Sequence, residues 1–201
     1  MVVDTEVQGS PGWMKARAGI PTASNCDKIV TTAGVASKSA KKYLYQLAAE
    51  RIRGIKEETY QNAAMKRGIE FEVEARAMYA FITDQEVEVV GLCYPDEKKL
   101  CGASPDGLVG DEGIIEIKCP SSDIHVDYFL RGVLPTDYFQ QTQMQLFVTG
   151  RKWVDFVSYF PGLKPLIVRA IPDTKFITAL RVELEMFYQQ LDEVTAKLRG
   201  E

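Results

Sequence analysis

The fold is decided by residues 104–120, which read SPDGLVGDEGIIEIKCP. A short loop with glycine at each end joins two apolar segments rich in β-branched residues, a pattern that predicts a β-hairpin. Folding about this loop brings Asp106 opposite Glu116, within one residue of register. Because side chains alternate along a strand, Glu116 and Lys118 share one face, and the isoleucines on either side of Glu116 point to the other.

The predicted face carries two carboxylates and an amine, which are costly to bury together unless a cation is bound among them. Oxygen ligands of this kind suit Mg²⁺ or Mn²⁺, which keep several waters and take one or two carboxylates from the protein. The spacing of Asp106, Glu116 and Lys118 therefore predicts a metal-dependent phosphodiesterase site. The alternative is a surface hairpin whose charged face lies in solvent.

The complete strings are more specific than the spacing. Ser-Pro-Asp-Gly-Leu at 104–108, followed by Ile-Glu-Ile-Lys-Cys-Pro at 115–120, resembles the core motif of the PD-(D/E)XK nucleases, and in particular of the phage lambda exonuclease and YqaJ-type viral recombinase family. The resemblance implies an α/β fold with a mixed central β-sheet, the hairpin in its middle, and helices on both sides. We expect residues 1–201 to form a single exonuclease domain, with residues 1–10 as a loose N-terminal arm.

Composition places the chain among globular proteins. Of its 201 residues, 46% are apolar and 26% are charged, and no apolar run reaches membrane-spanning length. The formal net charge of −4 argues against a protein that coats nucleic acid indiscriminately, but it allows a local basic channel. The four cysteines form no Cys-x-x-Cys pair and there is one histidine, so we expect reduced thiols and no zinc or iron–sulfur cluster.

A second motif lies near the N-terminus. Thr22 or Ser24 is a credible N-cap for a short helix through Ile29, whose free backbone N–H groups favour an anion, and Arg17 lies just upstream. The alternative is a capped helix beside a solvated arginine. The string Arg-x-Gly-Ile-x-Thr-Ala-Ser resembles the segment that forms the pocket for the DNA 5′-phosphate in lambda exonuclease. That resemblance implies that Arg17, Thr22 and Ser24 form the pocket here.

A helix predicted over residues 62–83 carries the third motif. On a helical wheel Glu72 lies on a partly apolar face, whereas Glu70 and Glu74 point to the opposite side. That face is formed by Met65, Ile69 and Tyr79. A carboxylate there needs a partner, and an i,i+4 pair with Arg76 is one alternative. The segment resembles the family motif Gly-x-x-x-Glu-x-x-Ala-Arg, which implies that Glu72 assists the metal site.

The fourth motif lies on a glutamine-rich helix predicted over about residues 136–149. Glutamines on a helix are usually solvated. The family, however, has a Tyr-x-x-Gln-x-Gln motif after the Glu-x-Lys strand, with the first glutamine facing the scissile phosphate. Tyr138, Gln141 and Gln143 match this motif. The resemblance assigns Gln141 to the site and makes Tyr138 and Gln143, together with Arg76, further candidates.

The remaining elements follow from helical spacing and strand alternation. The predicted helices cover about residues 39–53, residues 121–130, and residue 173 to the C-terminal end. The predicted strands cover residues 86–94, 153–160 and 166–171.

The resemblance also implies a function. The family hydrolyses duplex DNA from its 5′ end with Mg²⁺, for which Mn²⁺ substitutes, and it releases mononucleotides and leaves a 3′ single strand for recombination by strand annealing. In the implied site, Asp106 touches both of two ions about 4 Å apart. Glu116 and the backbone carbonyl of Ile117 hold one ion, and Lys118 orients the attacking water. Glu72 and Gln141 support the second ion and the phosphate.

The family further implies partners and a place of action. These are double-stranded DNA ends, a homotrimeric ring around the duplex, a single-strand annealing protein, no membrane, and the cytoplasm of a bacterial host, with the chain encoded by a phage or prophage. One alternative is a structure-specific or restriction-type endonuclease on the same core, which an intact circular substrate distinguishes. Another is a non-catalytic DNA-binding subunit, against which the complete set of Asp106, Glu116 and Lys118 speaks.

Overall fold

The computed structural model describes residues 1–56 and 63–201. The α-helices are α1 (Pro11–Ala16), α2 (Ala40–Arg53), α3 (Ala63–Thr83), α4 (Ser122–Arg131), α5 (Phe139–Thr149) and α6 (Thr174–Arg199). Two 3-10 helices cover Ala23–Lys28 and Thr136–Tyr138. The strands are β1 (Val2–Val3), β2 (Val87–Glu88), β3 (Cys93–Tyr94), β4 (Gly107–Val109), β5 (Gly113–Lys118), β6 (Trp153–Ser158) and β7 (Leu166–Ala170).

A five-stranded sheet of order β2-β4-β5-β6-β7 forms the centre of the fold. β4 and β5 are antiparallel with Gly107 opposite Ile115, so Asp106 comes opposite Glu116, and the predicted hairpin and its register are confirmed. β5 and β6 are parallel, which requires a crossover, and α4 and α5 supply it. The other neighbouring strands are antiparallel, so the predicted mixed central sheet is also confirmed.

Successive residues of β5 face opposite sides of the sheet. Ile114 belongs to a large apolar cluster with residues of α2, α5 and α6. Ile115 and Ile117 belong to a smaller cluster with residues of α3. Glu116 therefore points toward α5, where it contacts Gln141, as the alternation in sequence predicts.

Helix ends follow signals that are visible in the sequence. The side chain of Asp173 accepts a hydrogen bond from the backbone N–H of Phe176 and caps α6. Helices α2, α4 and α5 each end at a glycine with left-handed backbone angles, respectively Gly54, Gly132 and Gly150. The glycines thus mark where the crossover helices α4 and α5 end.

The strand predicted over residues 86–94 is corrected by the structure. It is divided into β2, which joins the central sheet, and β3, which pairs with β1 in a separate two-stranded sheet. Gly91 lies between the two strands, and a Cβ atom there would come within 2.4 Å of the carbonyl oxygen of Glu6 and 2.7 Å of that of Asp4. The N-terminal segment thus crosses this point of the chain at close range.

The prediction of a loose arm over residues 1–10 is also corrected. β1 pairs with β3, and the side-chain Nε2 of Gln8 donates hydrogen bonds to the carbonyl oxygens of Val90, at 2.8 Å, and Pro105, at 2.9 Å. Because Pro105 directly precedes Asp106, the N-terminal segment is attached to the loop that carries the predicted metal ligand.

Two further features concern the cysteines and the helices. The thiols of Cys26, Cys93, Cys101 and Cys119 are all free. In the described part of the chain, no helix combines the length and the apolar character needed to cross a membrane.

Candidate active site

A cleft of about 170 Å³ brings together six of the twelve predicted site residues. It is lined by Gln8, Trp13, Arg17, Ala23, Ser24, Ser104, Asp106, Glu116, Lys118, Gln141 and Gln145. Two motifs that are far apart in sequence, the metal-site hairpin and the N-terminal anion motif, therefore line the same cleft.

Glu116 is the most enclosed acidic group of the cleft, with 2% of its surface exposed. Its Oε1 accepts hydrogen bonds from Lys118 Nζ and, at 2.5 Å, from Gln141 Nε2. Its Oε2 accepts a hydrogen bond from Gln145 Nε2. These donors offset the cost of burying the carboxylate, which without them would be several kcal/mol.

Asp106 faces Glu116 across the hairpin. Its Oδ2 accepts a hydrogen bond of 2.6 Å from the backbone N–H of Ile117, and its carbonyl oxygen accepts one of 2.9 Å from Arg76 Nε. Burial, and then the negative charge of Glu116, raise the pKa of Asp106 well above its usual range. A cation between the two carboxylates would remove this penalty.

Lys118 supplies the positive charge of the site. Burial lowers its pKa, but the negative charges of Glu116 and Asp106 outweigh burial, so the pKa of Lys118 is raised overall and the side chain is an ammonium group. Its Nζ lies 5.2 Å from the centre of the Tyr138 ring, which stacks on Phe156. Tyr138, predicted as a further candidate, is thus a neighbour of Lys118.

The donor set fits a hard divalent cation. In the described ranges, 1–56 and 63–201, no three His, Cys, Asp or Glu side chains are grouped so as to hold a metal ion. Zinc is bound mainly by nitrogen and sulfur ligands, whereas Mg²⁺ is bound by one or two carboxylates and completed by water and substrate oxygens. The two carboxylates that line the cleft are those of Asp106 and Glu116.

Arg17 also lines the cleft, and 7% of its surface is exposed. Its Nη1 and Nη2 donate hydrogen bonds of 3.1 Å each to Ser104 Oγ and Ser24 Oγ, and its guanidinium stacks on the Trp13 ring at 4.2 Å. Among the described residues, no carboxylate is within ion-pair distance of it and its Nε has no partner. Burial lowers the pKa of Arg17. A buried cation without a paired anion fits a site for an anionic ligand.

The short helix predicted after Thr22 is a 3-10 helix. Ala23–Lys28 forms a 3-10 helix with non-helical backbone angles at Asn25, and the Thr22 side chain at its N-cap position makes no capping hydrogen bond. Thr22 Oγ1 instead accepts a hydrogen bond of 3.2 Å from Asn25 Nδ2. The short helix and its N-cap position at Thr22 are therefore present, but the break at Asn25 leaves little aligned helix dipole. Of the three predicted pocket residues, Arg17 and Ser24 line the cleft and Thr22 does not.

Glu72 reaches the site through Arg76 and does not line the cleft. Glu72 Oε1 accepts a hydrogen bond of 2.5 Å from Arg76 Nη2, so the i,i+4 pair considered as an alternative is present. Arg76 Nε in turn binds the carbonyl oxygen of Asp106. Burial and the charge of Glu116 are the main causes of the raised pKa of Asp106, and the charge of Glu72 adds to it.

The helical wheel of α3 is tested only in part. Tyr79 is buried with 1% exposure, as predicted, whereas the side chains of Met65 and Ile69 lie outside the described residues. Glu70 and Glu74 are both exposed, as predicted, and Glu74 also accepts a hydrogen bond of 2.5 Å from the hydroxyl of Tyr159.

The glutamines of α5 divide into two groups. Gln143 Nε2 donates to the carbonyl oxygen of Ile171 at 3.0 Å, and its Oε1 accepts from the backbone N–H of Asp173 at 2.7 Å, so Gln143 fastens α5 to the start of α6. Gln145, which the sequence analysis missed, contacts Glu116. With about 100° per residue, Gln145 lies roughly 40° from Gln141 on the helix and Gln143 roughly 200° from it. The spacing of four residues is the signal that could have found Gln145.

Comparison with known proteins gives a consistent result. A family model described as the YqaJ-like viral recombinase domain matches residues 12–152. The chain is similar to an alkaline exonuclease, LHK-Exo, from Laribacter hongkongensis, with 36% sequence identity and a TM-score of 0.86 over 95% of this chain and 97% of that chain. A structure of LHK-Exo in complex with dAMP matches with the same values.

A more distant likeness concerns the fold alone. A phage-related exonuclease from Haemophilus somnus 129PT has 15% sequence identity and a TM-score of 0.69, covering 89% of this chain and 96% of that chain. No curated protein matches the chain. The matched structures confirm the predicted α/β fold of the PD-(D/E)XK nuclease type.

Proposed function

Because the chain belongs to the YqaJ-like viral recombinase family and is a deoxyribonuclease, we propose that it degrades linear duplex DNA from its 5′ ends with Mg²⁺. The products are mononucleotides and a 3′ single-stranded tail that serves recombination by strand annealing. One observation carries the proposal: Asp106, Glu116 and Lys118 share a cleft with Arg17 and Ser24. If Arg17 and Ser24 bind the terminal 5′-phosphate, the phosphodiester bond that reaches Asp106, Glu116 and Lys118 is one close to the DNA end.

The chain's own groups divide the chemistry between them. Asp106, Glu116 and the backbone carbonyl of Ile117 would hold two Mg²⁺ ions, or Mn²⁺ in their place. When bound, these ions supply Lewis-acid stabilisation of the charge on the phosphate oxygens and on the leaving oxygen. Lys118, as an ammonium group, orients the attacking water and stabilises negative charge on the phosphate. The amide of Gln141 binds Glu116 and lines the same cleft. There it would face the scissile phosphate.

The dAMP complex of LHK-Exo supports release of mononucleotides, since a nucleoside monophosphate is the product of such an enzyme. Membership in the family supports three further parts of the proposal. These are a homotrimeric ring around the duplex, a single-strand annealing protein as partner, and action in the cytoplasm of a phage-infected or lysogenic bacterium. Light scattering on the purified chain measures its molar mass in solution, and we expect the mass of three chains.

The proposed function is tested by comparing linear duplex with covalently closed circular duplex of the same sequence in Mg²⁺. We expect complete conversion of the linear DNA to mononucleotides and single strands, and an intact circle. A circle that becomes nicked or linear at a similar rate would show an endonuclease instead.

Recognition of the 5′-phosphate is expected to depend on Arg17. A 5′-hydroxyl end lacks the charge-assisted hydrogen bonds to this buried guanidinium, each worth about 1.5–3 kcal/mol, so initiation should slow by roughly tenfold or more. Arg17→Ala should remove most of the difference between the two ends. The measurement is the initial rate on matched duplexes with either end, with Arg199→Ala at the exposed end of α6 as control. A wild type that does not discriminate would place the pocket elsewhere.

Glu72→Gln is expected to lower the rate more than Glu70→Gln or Glu74→Gln. The reason is that Glu72 holds Arg76, which binds the carbonyl oxygen of Asp106, whereas Glu70 is exposed and Glu74 binds Tyr159. We expect a loss on the order of tenfold, typical of outer partners of a metal site. Equal rates for the three variants, measured at saturating Mg²⁺ and DNA, would remove Glu72 from the site.

A further inference from the structure

Gln145 is the donor to Glu116 that no sequence motif indicated. Its side chain extends from α5 with 1% of its surface exposed, and its Nε2 donates a hydrogen bond to Glu116 Oε2. We infer that Gln145 is a positioning residue, whose amide holds the Glu116 carboxylate in the orientation in which it binds the divalent cation. The inference rests on the proposed function, because it concerns the metal site of that reaction.

The orientation of the Gln145 amide is determined by chemistry. An ionised carboxylate only accepts hydrogen bonds, so the amide nitrogen, and not its oxygen, must face Glu116. The amide oxygen then points away, and it has no hydrogen-bond partner among the described residues. Leaving such a buried oxygen unpaired costs about 1–3 kcal/mol. The amide therefore keeps this arrangement because of its bond to Glu116, and its free oxygen fits a position completed by water or a bound ligand.

The two oxygens of Glu116 are held in different ways. Lys118 and Gln141 both donate to Oε1, whereas Gln145 is the one donor to Oε2 in the described part of the chain. An ammonium group competes with a metal cation for the same carboxylate, because both are attracted by its charge. A neutral amide carries no such net charge, so Gln145 can stay in place when the cation binds. Gln145 is thus the fixed anchor, and Lys118 is the exchangeable partner.

Loss of the anchor should weaken the metal site. Outer partners that orient metal ligands typically contribute 10–100-fold in metal affinity or activity. Without Gln145, Glu116 gains freedom to rotate, and this freedom has to be removed again when the cation binds. The effect should appear in the affinity for Mn²⁺ in the absence of DNA, which separates it from catalysis.

The test compares Gln145→Met, Gln145→Ala and the matched control Gln143→Met. Mn²⁺ affinity is measured by titration of the free-ion electron paramagnetic resonance signal, and the melting temperature is measured on the same samples without metal. Gln145→Met fills the space but donates nothing, so we expect Mn²⁺ to bind about tenfold or more weakly. Gln145→Ala leaves a polar space that a water can enter and donate to Glu116, so it should lose less affinity than Gln145→Met although it lowers the melting temperature more.

This order distinguishes positioning from packing, because a packing role would make alanine the worse variant in both measurements. Gln143→Met, which removes the bonds to Ile171 and Asp173, should lower the melting temperature and leave Mn²⁺ affinity unchanged. The inference would be overturned if Gln145→Met bound Mn²⁺ as tightly as the wild type. It would also be overturned if Gln145→Ala lost more Mn²⁺ affinity than Gln145→Met. If Gln145→Met does not fold, unchanged affinity in Gln145→Ala at a lowered melting temperature overturns it as well.

The proposed function fails by a different result. A wild type that binds Mn²⁺ but leaves linear duplex intact contradicts the exonuclease proposal, whereas the order of Mn²⁺ affinities still decides the role of Gln145. A wild type that binds no Mn²⁺ contradicts both.

Discussion

Asp106→Asn is expected to lower the rate of DNA hydrolysis by at least about 10³-fold and, at the same time, to stabilise the metal-free protein. The loss of rate follows because Asp106 would hold the cations, which contribute several kcal/mol to the transition state; about 4 kcal/mol corresponds to 10³-fold. Asparagine keeps the shape of the side chain and an oxygen that can accept the hydrogen bond from Ile117. The fold should therefore survive the change.

The gain in stability follows from the sign of the pKa shift. Burial and the charge of Glu116 raise the pKa of Asp106 above its unfolded value, so its ionised form is disfavoured in the folded protein. A raised pKa means that the protonated form of Asp106 is favoured in the folded protein. Its contribution to the free energy of unfolding is fully present when the pH is below the pKa of the unfolded chain, and it is lost as the pH rises through the pKa of the folded protein. At any pH above the unfolded pKa, Asp106 therefore destabilises the metal-free fold relative to a neutral side chain, and asparagine removes this penalty.

Two measurements check this expectation. Initial rates on linear duplex are compared at saturating Mg²⁺, and melting temperatures are compared in the presence of a chelator, where a gain on the order of 1 kcal/mol corresponds to about 2–4 °C. Asp111→Asn, in the exposed loop of the same hairpin, is the matched control and should change neither quantity. Substantial activity in Asp106→Asn would show that the metal ligand is another residue.

Lys118→Met is expected to reduce kcat by roughly 10²–10⁴-fold while DNA binding stays nearly intact. Methionine keeps most of the side-chain stem beside Tyr138 but removes the ammonium group that we propose orients the water. Because this group also occupies Glu116 Oε1, its loss should leave Mn²⁺ affinity equal to or higher than that of the wild type. Turnover and metal affinity should thus change independently.

The check is single-turnover hydrolysis together with DNA binding measured in Ca²⁺. Lys152→Met, which removes an exposed ammonium group paired with Glu112, is the control and should leave both unchanged. Unchanged kcat with weakened DNA binding would make Lys118 a phosphate anchor without a role in the chemical step.

The central hairpin could be predicted because its signals are local. Glycines bound its loop, and strand alternation gives the faces, so the juxtaposition of Asp106, Glu116 and Lys118 follows from residues close in sequence. The same holds for helix ends such as the Asp173 cap of α6. Local chemistry of this kind is readable without knowledge of distant partners.

Features that depend on distant partners were missed. Gly91 interrupts the expected strand because the N-terminal segment passes over it, and no residue near Gly91 indicates that contact. Arg17 is buried by Trp13 and Ser104, the latter far along the chain, so the sequence could not tell its enclosed state from a solvated one. Gln145 could have been found from its spacing of four residues from Gln141, which puts both on one side of α5. The family motif instead contains Gln143, which lies on another side of the helix.

The most direct test of the proposed exonuclease is digestion of a linear, 5′-phosphorylated duplex labelled at the 5′ end or, in a separate sample, at the 3′ end of the same strand. With Mg²⁺, we expect the 5′ label to appear in mononucleotides from the first time points and the 3′ label to remain in long single strands until late in the reaction. With a chelator, neither label should be released. Release of the 3′ label first, or full digestion in the chelator, would contradict 5′-to-3′ hydrolysis at the site of Asp106, Glu116 and Lys118.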